Sequence, residues 1–97
     1  MKTNGLNFGQ AIELLKRGNK LARSGWNGKG MFIYLVRGTE IPSTQLRNEA
    51  KEKMGIDESA LIKINPHIDM KAADGSIVIG WLASQTDMMA EDWVIVE

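Results

Sequence analysis

Cysteine is absent from the sequence, and histidine occurs once, as His67. Without thiols the chain can form neither disulfides nor sulfur-ligated metal sites, and it has no thiolate nucleophile. His67 has no neighbouring cysteine or second histidine, which argues against a catalytic zinc centre. We therefore predict no metal site and no cofactor.

An excess of charge of either sign is also absent, because Lys plus Arg and Asp plus Glu number 12 each. This balance removes the usual electrostatic attraction to long nucleic acid or to an acidic membrane, although a few local donors suffice for a small anionic ligand. No apolar run reaches the length of a membrane span, and no apolar stretch follows the first charged residue as in a signal peptide. A cytoplasmic location is the default expectation.

What is present fits one small domain. The 97 residues, 43% of them hydrophobic, predict a single ligand-binding domain over residues 1–97. Asn7 and Gln10 have the spacing of a capping box, and the apolar residues that follow recur at helical spacing, so an amphipathic helix is predicted over 8–17. A second helix, dominated by charge and insertion-like, is predicted over 42–55.

Short strands make up most of the remaining predicted structure. The strand-like segments are residues 20–23, 31–36, 62–64, 67–71, 76–81 and 92–96. Residues 38–40 read as a break after the second segment, residues 57–60 as a further helical turn, and Asp74-Gly75 as a hairpin turn. Two helices and these short strands in this order predict an α+β fold, a small single domain with a mainly antiparallel sheet.

The first candidate ligand-binding segment is residues 23–30, which holds three glycines, two cations and an indole. Glycines allow close approach of a ligand to backbone N–H groups, and an indole offers a face on which a nucleobase can stack. The candidate residues are Arg23, Trp26, Asn27, Gly28, Lys29 and Gly30. The spacing matches neither a P-loop nor a dinucleotide fingerprint, and the alternative is a tight turn with Trp26 capping the core.

The second candidate segment follows Trp81 and is rich in side-chain donors and acceptors. Its candidate ligand-binding residues are Ser84, Gln85, Thr86, Asp87 and Met88. Such side chains can bond the hydroxyls of a ribose or the edge of a base. The alternative is a loop or single helical turn in which Asp87 or Ser84 bonds local N–H groups.

Other residues of interest have simpler interpretations. His67 and Asp69 share one side of a strand, where they could form an acid–base pair, but a hydrogen-bonded surface or interface contact is the simpler interpretation. Trp81 and Trp93 are expected to fill the core, and the charges of residues 47–53 to form a solvated helix face. No nucleophile, base and orienting group occur together in the sequence, so we assign no catalytic residue and predict a protein that is not an enzyme.

Several short blocks of the sequence resemble those of one protein family and occur in the same order as in that family. They are Phe8-Gly9-Gln10-Ala11 with Leu14-Leu15-Lys16, then Ala22 to Phe32, Pro66 to Lys71, Ala73-Asp74-Gly75, and Trp81 to Met88 with Ala90-Glu91-Asp92-Trp93. This pattern resembles the second type of Thoeris anti-defence protein, a small phage and bacterial family. The resemblance covers about four fifths of the chain and leaves out residues 1–5 and roughly 38–64. Residues 42–55 depart from the compact members.

The resemblance implies a sponge, which binds a cyclic ADP-ribose-type or related cyclic nucleotide signal of bacterial immunity without cleaving it. It further implies a homotetramer with ligand pockets between subunits, acting in the host cytoplasm. Under this interpretation Trp26 stacks on the adenine, and the diphosphate lies near Arg23, Lys29 and the backbone of Gly28 and Gly30. Residues 84–87 then address ribose hydroxyls, and Asp87 only accepts. The resemblance favours ligand binding for both segments.

Two further hypotheses belong to other classes of protein. One is a hydrolase, either a phosphodiesterase or a glycohydrolase, that cleaves the same signal. The other is a structural or nucleic-acid-binding module, against which the balanced charge argues.

Overall fold

The structure, a computed structural model, describes residues 2–55 and 60–97. In chain order its elements are α1 (Phe8–Lys16), β1 (Lys20–Arg23), β2 (Phe32–Val36), β3 (Thr39–Pro42), a 3₁₀ helix (Ser43–Gln45), α2 (Asn48–Met54), β4 (Leu61–Ile64), β5 (His67–Lys71), β6 (Ile77–Val78), α3 (Gln85–Met89) and β7 (Trp93–Val96). They confirm the predicted α+β fold. The helical turn predicted at 57–60 lies mostly outside the described residues.

The chain divides into two units, Met1–Val36 with His67–Glu97, and Arg37–Pro66. The first contains a five-stranded sheet in the order β6-β5-β2-β1-β7, and every pair in it is antiparallel. Strands β1 and β7 are far apart in sequence but pair over four positions, including Arg23 with Trp93. This pairing brings the segment after β1 close to the segment before β7.

Helix α1 covers one face of this sheet. Asn7 and Gln10 form the predicted capping box, since each side chain accepts from the other residue's backbone N–H at 2.8 and 2.9 Å. The buried helical side chains are Ala11, Leu14 and Leu15, and those beneath them are Leu21, Ile33, Met70 and Trp93. The predicted stripe of helix 8–17 is therefore the core-facing side of α1.

The second unit corrects the interpretation of residues 38–55. Thr39–Pro42 form β3, which pairs with β4, where a break was expected. Residues 42–55 are not one helix, because the 3₁₀ helix is followed by extended backbone at Leu46 and α2 begins only at Asn48. Every residue of α2 is exposed, which confirms the solvated helix face.

The returning strand after the Asp74-Gly75 hairpin is shorter than the predicted 76–81. Beyond Val78 the chain leaves the regular ladder, because Gly80 adopts a positive φ of 82° and donates its N–H to the Asp69 carboxylate at 3.0 Å. Trp81 then donates to the carbonyl of Ile68. Among the helices of the described residues, none combines the length and the hydropathy that crossing a bilayer requires.

Candidate functional site

Three tryptophans pack edge to face where the two predicted segments meet. The Trp26 ring lies 5.4 Å from Trp93 and 6.2 Å from Trp81, at interplanar angles of 79° and 66°. Trp93 is fully buried, whereas the other two are half-buried and pack against the core. Trp26 therefore caps the core, as the structural alternative for its loop predicted, and still leaves part of its indole at the surface.

Asp87 is the polar centre of this cluster. Its Oδ1 accepts from the indole N–H of Trp26 at 3.1 Å and from Nη1 of Arg23 at 2.9 Å. Its backbone carbonyl accepts from the indole N–H of Trp93 at 3.1 Å. One residue thus fixes two tryptophan rings and one guanidinium by hydrogen bonds.

Asp87 is itself positioned by α3. Ser84 caps this helix by accepting from the backbone N–H of Asp87 at 3.1 Å, and Asp87 Oδ2 accepts from the Ser84 N–H at 3.3 Å. This reciprocal pair is a capping box, so the local-capping interpretation of residues 84–87 is confirmed. Because Oδ1 faces away from the cap, the same carboxylate both caps α3 and bonds the first segment.

Arg23 also bonds a second carboxylate, that of Asp92, directly before β7. Its Nε and Nη2 donate to the two oxygens of Asp92 at 2.8 and 3.4 Å, while Nη1 reaches Asp87. Asp92 also accepts from the backbone N–H of Gly25 at 2.9 Å, where an added Cβ would lie 2.7 Å from the carboxylate oxygen. A side chain at position 25 would therefore disturb this contact.

The network keeps both carboxyl groups ionised. Burial acts to raise the pKa of Asp87, but hydrogen bonds from Arg23, Trp26 and Ser84 together outweigh it and lower that pKa below its ordinary value. The hydrogen bond from Arg23 also lowers the pKa of Asp92, and the two carboxylates in turn raise the pKa of Arg23. At neutral pH the cluster is a cation held between two anions.

The structure joins some of the predicted site residues and leaves others apart. Direct contacts connect Arg23, Trp26, Ser84 and Asp87. Among residues 2–55 and 60–97, the predicted site residues that are solvent-exposed and have no side-chain hydrogen bond or ion pair to that cluster are Asn27, Lys29, Gly30, Gln85 and Thr86. Met88 is half-buried. Gly28 packs closely against Ala73, because a Cβ added at Gly28 would lie 2.6 Å from the Cβ of Ala73.

The sequence matches the profile of the Thoeris anti-defense 2-like domain over residues 6–96, which include both candidate segments. The chain belongs to this family. A curated relative, Thoeris anti-defense 2 of Bacillus phage SP01, is 43% identical over 98 aligned positions that cover 99% of each chain. Membership of the Thoeris anti-defense 2-like family indicates an anti-defence role, as the resemblance predicted.

Two residues of this site in the Thoeris anti-defense 2-like fold escaped the sequence interpretation. Asp92 lies 69 residues from Arg23 along the chain, and no local pattern indicates that they pair. Trp81 was expected in the core but is only partly buried and lies beside Trp26. Its position three residues before Ser84, the first residue of the polar segment 84–88, was the available signal for a role in the site.

His67 and Asp69 form a contact away from this cluster. Nε2 of His67 lies 3.4 Å from Oδ1 of Asp69, and the same oxygen accepts from the Gly80 N–H. Asp69 is buried, so this carboxylate anchors the turn at residue 80 as well as its own strand. The hydrogen-bonded interpretation of the pair fits this geometry.

Proposed function

We propose that this member of the Thoeris anti-defense 2-like family is a non-catalytic binding protein, which sequesters a cyclic ADP-ribose-type or related cyclic nucleotide signal. The family supplies the anti-defence role. The observation that carries the proposal is the half-buried Trp26 indole, which Asp87 and Trp93 hold in one orientation. A fixed aromatic face at the surface suits a ligand that contains a nucleobase.

Rigidity of the aromatic face favours binding over transient contact. The Trp26 N–H is satisfied within the protein, so in this proposal a ligand packs on the exposed part of the indole and does not accept a hydrogen bond from its N–H. Trp81 stands 6.2 Å away at a steep angle and can form a wall of the same base site. Stacking of a base on an aromatic residue contributes about 1–3 kcal/mol, and a ring fixed beforehand loses little freedom on binding.

The other polar groups of the two segments are assigned according to whether they are exposed or already bonded within the protein. Lys29 is exposed and we assign it, with the backbone N–H groups of Gly28 and Gly30, to the diphosphate. Arg23 faces two carboxylates and only 14% of its side chain is exposed, so we assign it to positioning.

The ribose hydroxyls are assigned to the surface of the second segment. Gln85 and Thr86 are exposed there, and the Ser84 hydroxyl still has a proton to donate. Asp87 serves as an acceptor only, because it is ionised and already bonded to the first segment. Met88, half-buried beside them, supplies apolar contact.

The electrostatics of the cluster support binding without cleavage. A general acid or base acts best when its pKa lies near the working pH. The pKa values of Asp87 and Asp92 are instead lowered from an ordinary value that is already acidic. Both carboxylates are bonded to Arg23, an arrangement that stabilises a fixed charge more than it assists proton transfer.

Self-association is part of the proposal, with pockets completed between the subunits of a homotetramer. Several large apolar side chains of the described residues are 46% to 89% exposed: Met54, Leu61, Ile77, Val78, Ile79, Leu82 and Met89. Two of them, Ile79 and Leu82, follow shortly after the edge strand β6. An exposed apolar edge of this kind suits burial against another copy.

A release experiment separates sequestration from cleavage. The protein is incubated with cyclic ADP-ribose isomers, freed of unbound ligand, heat-denatured, and the supernatant is analysed by chromatography with mass detection. We expect intact cyclic ligand in amounts that match the protein, and less of it from the Trp26→Ala variant. Recovery of linear ADP-ribose that grows with incubation time would establish the hydrolase instead.

A further inference from the structure

Apart from the surface around Trp26 and Asp87, the face of the five-stranded sheet opposite α1 carries a second group of aromatic and charged side chains. Leu21 and Ile33 pair across β1 and β2 and are both fully buried beneath the helix. Because side chains alternate along a strand, Phe32 and Tyr34 point to the opposite face, as does Lys20. This open face belongs wholly to the first unit.

Two lysines approach one aromatic ring on the open face. The Nζ atoms of Lys20 and Lys71 lie 5.0 and 5.5 Å from the centroid of the Phe32 ring. Lys71 also donates to the carbonyl of Gly30 at 3.2 Å. In the described part of the chain neither ammonium has a carboxylate within 4.0 Å, so two like charges share one ring without an anion between them.

A cavity of about 400 Å³ lies at this place. Its lining residues are Lys20, Phe32, Tyr34, Lys71, Gly75 and Ile77. The lining is almost wholly apolar, from the aromatic rings, Ile77 and the lysine stems, and both ammonium groups lie within 5.5 Å of the centroid of the Phe32 ring. None of these residues belongs to the tryptophan cluster around Asp87.

The acidic groups closest in sequence and register are already engaged. Asp74, beside Gly75 in the hairpin, accepts from the backbone N–H and the hydroxyl of Ser76 at 2.9 and 2.6 Å. Asp69, which pairs with Tyr34 across the strands, accepts from the Gly80 N–H. Neither carboxylate neutralises the lysine pair.

We propose that this cavity is a second binding site, for a small organic anion that carries a phosphate or carboxylate on an apolar, ring-sized body. The anionic group lies between Lys20 and Lys71, and the body packs on Phe32 and Ile77. A volume of about 400 Å³ falls in the range of small-molecule sites, which combine an apolar lining with a few charged groups. The site stands independently of the proposed sequestration at Trp26.

Phenyl phosphate, phenylacetate and benzyl alcohol are suitable probes, because they share a ring and differ in charge. Each is titrated into the ¹⁵N-labelled protein, and amide shifts are followed by NMR. We expect phenyl phosphate or phenylacetate to move the signals of residues 32–34, 71, 75 and 77, and the neutral alcohol to bind at least about tenfold more weakly. The stronger of the two anions identifies the class of anionic group.

Substitutions then locate the anion. The double variant Lys20→Gln with Lys71→Gln should weaken binding of the preferred anion at least about tenfold, while Lys20→Arg with Lys71→Arg retains it. Lys29→Gln, which removes an exposed lysine of the other site, should leave this binding unchanged. Equal affinity in the double Gln variant, shifts confined to other residues, or no saturation by millimolar anion would each overturn the proposal. Signals of residues 32–34, 71 and 77 that move with protein concentration and not with the probe would show that a second copy covers the open face, and would overturn the proposal as well.

Discussion

At the residue scale, Arg23 bonds two carboxylates, those of Asp87 and Asp92, which lie 64 and 69 residues from it in sequence. It is planar and always charged, so it can bond Asp92 through Nε and Nη2 while Nη1 faces Asp87. Asp87 in turn accepts a hydrogen bond from the indole N–H of Trp26 and so fixes the orientation of that ring. The orientation of the proposed stacking surface thus depends on charges that need not touch the ligand.

The Asp92 carboxylate gives this link a defined pH dependence. Its pKa is lower in the folded protein than the ordinary value of about 3.9, so the folded state takes up this proton less readily than the unfolded state does. The stabilisation is therefore fully present above about pH 5 and is lost as the pH falls through the folded-state pKa. We expect Asp92→Asn to lower the free energy of unfolding by about 1–2 kcal/mol at pH 7 and by much less near pH 3.

Urea denaturation of the parent and the Asp92→Asn variant at pH 7, 5, 4 and 3 measures this difference. Glu91→Gln is the matched control, because it removes an exposed neighbouring carboxylate and should change stability by less than about 0.5 kcal/mol. A difference between the parent and Asp92→Asn that stays constant from pH 7 to pH 3 would mean that the ion pair does not contribute as described.

At the scale of elements, the loop between β1 and β2 is shaped by close packing at Gly28. A Cβ added there would lie 2.6 Å from both Cβ of Ala73 and Sδ of Met31. We expect Gly28→Ala to destabilise the fold by about 1–3 kcal/mol through overpacking. Adding Ala73→Gly should recover part of that loss, because it removes the atom that cannot move aside.

The measurement for this prediction is a double-mutant cycle from thermal or urea unfolding. Gly9→Ala is the control of opposite sign. Gly9 lies in α1, the new Cβ would be 3.4 Å from Oδ1 of Asn7, and helix propensity favours Ala by about 0.5–1 kcal/mol. If Gly28→Ala is as stable as the parent, or if Ala73→Gly recovers nothing, close packing is not what requires glycine here.

Local signals predicted some of these elements well and others poorly. Helix α1 and its capping box depend on residues three apart, so the sequence contains their whole pattern. Strand β3 exists through its pairing with β4, and Thr39-Glu40 alone resemble a break. The cap of α3 was foreseen only as one alternative for residues 84–87, because the same side chains suit a ligand equally well.

At the scale of the whole molecule, the proposed assembly rests on the exposed apolar edge. Ile79 is 75% and Leu82 is 89% exposed, next to the short edge strand β6. We expect size-exclusion chromatography with light scattering to give four times the chain mass of 10.8 kDa at micromolar concentration. Ile79→Asp should reduce this mass, because it places a charge in the proposed subunit contact.

Leu61→Asp is the control for that experiment, since Leu61 is similarly exposed, at 67%, but belongs to the second unit. It should leave the tetramer intact. A parent protein that is monomeric at micromolar concentration would contradict pockets shared between subunits. Dissociation by Leu61→Asp but not by Ile79→Asp would move the contact to the other unit.

The central claim is that the Trp26 and Asp87 surface binds a cyclic ADP-ribose-type signal. Isothermal titration calorimetry with a panel of cyclic ADP-ribose isomers, on the parent and on folded, assembled Trp26→Ala and Asp87→Ala variants, tests it directly. We expect saturable binding of at least one isomer by the parent and a loss of about 1–3 kcal/mol in binding free energy for Trp26→Ala. Asp87→Ala should also bind more weakly, because it releases the Trp26 ring. Equal affinity in all three proteins would contradict the claim and place the ligand elsewhere.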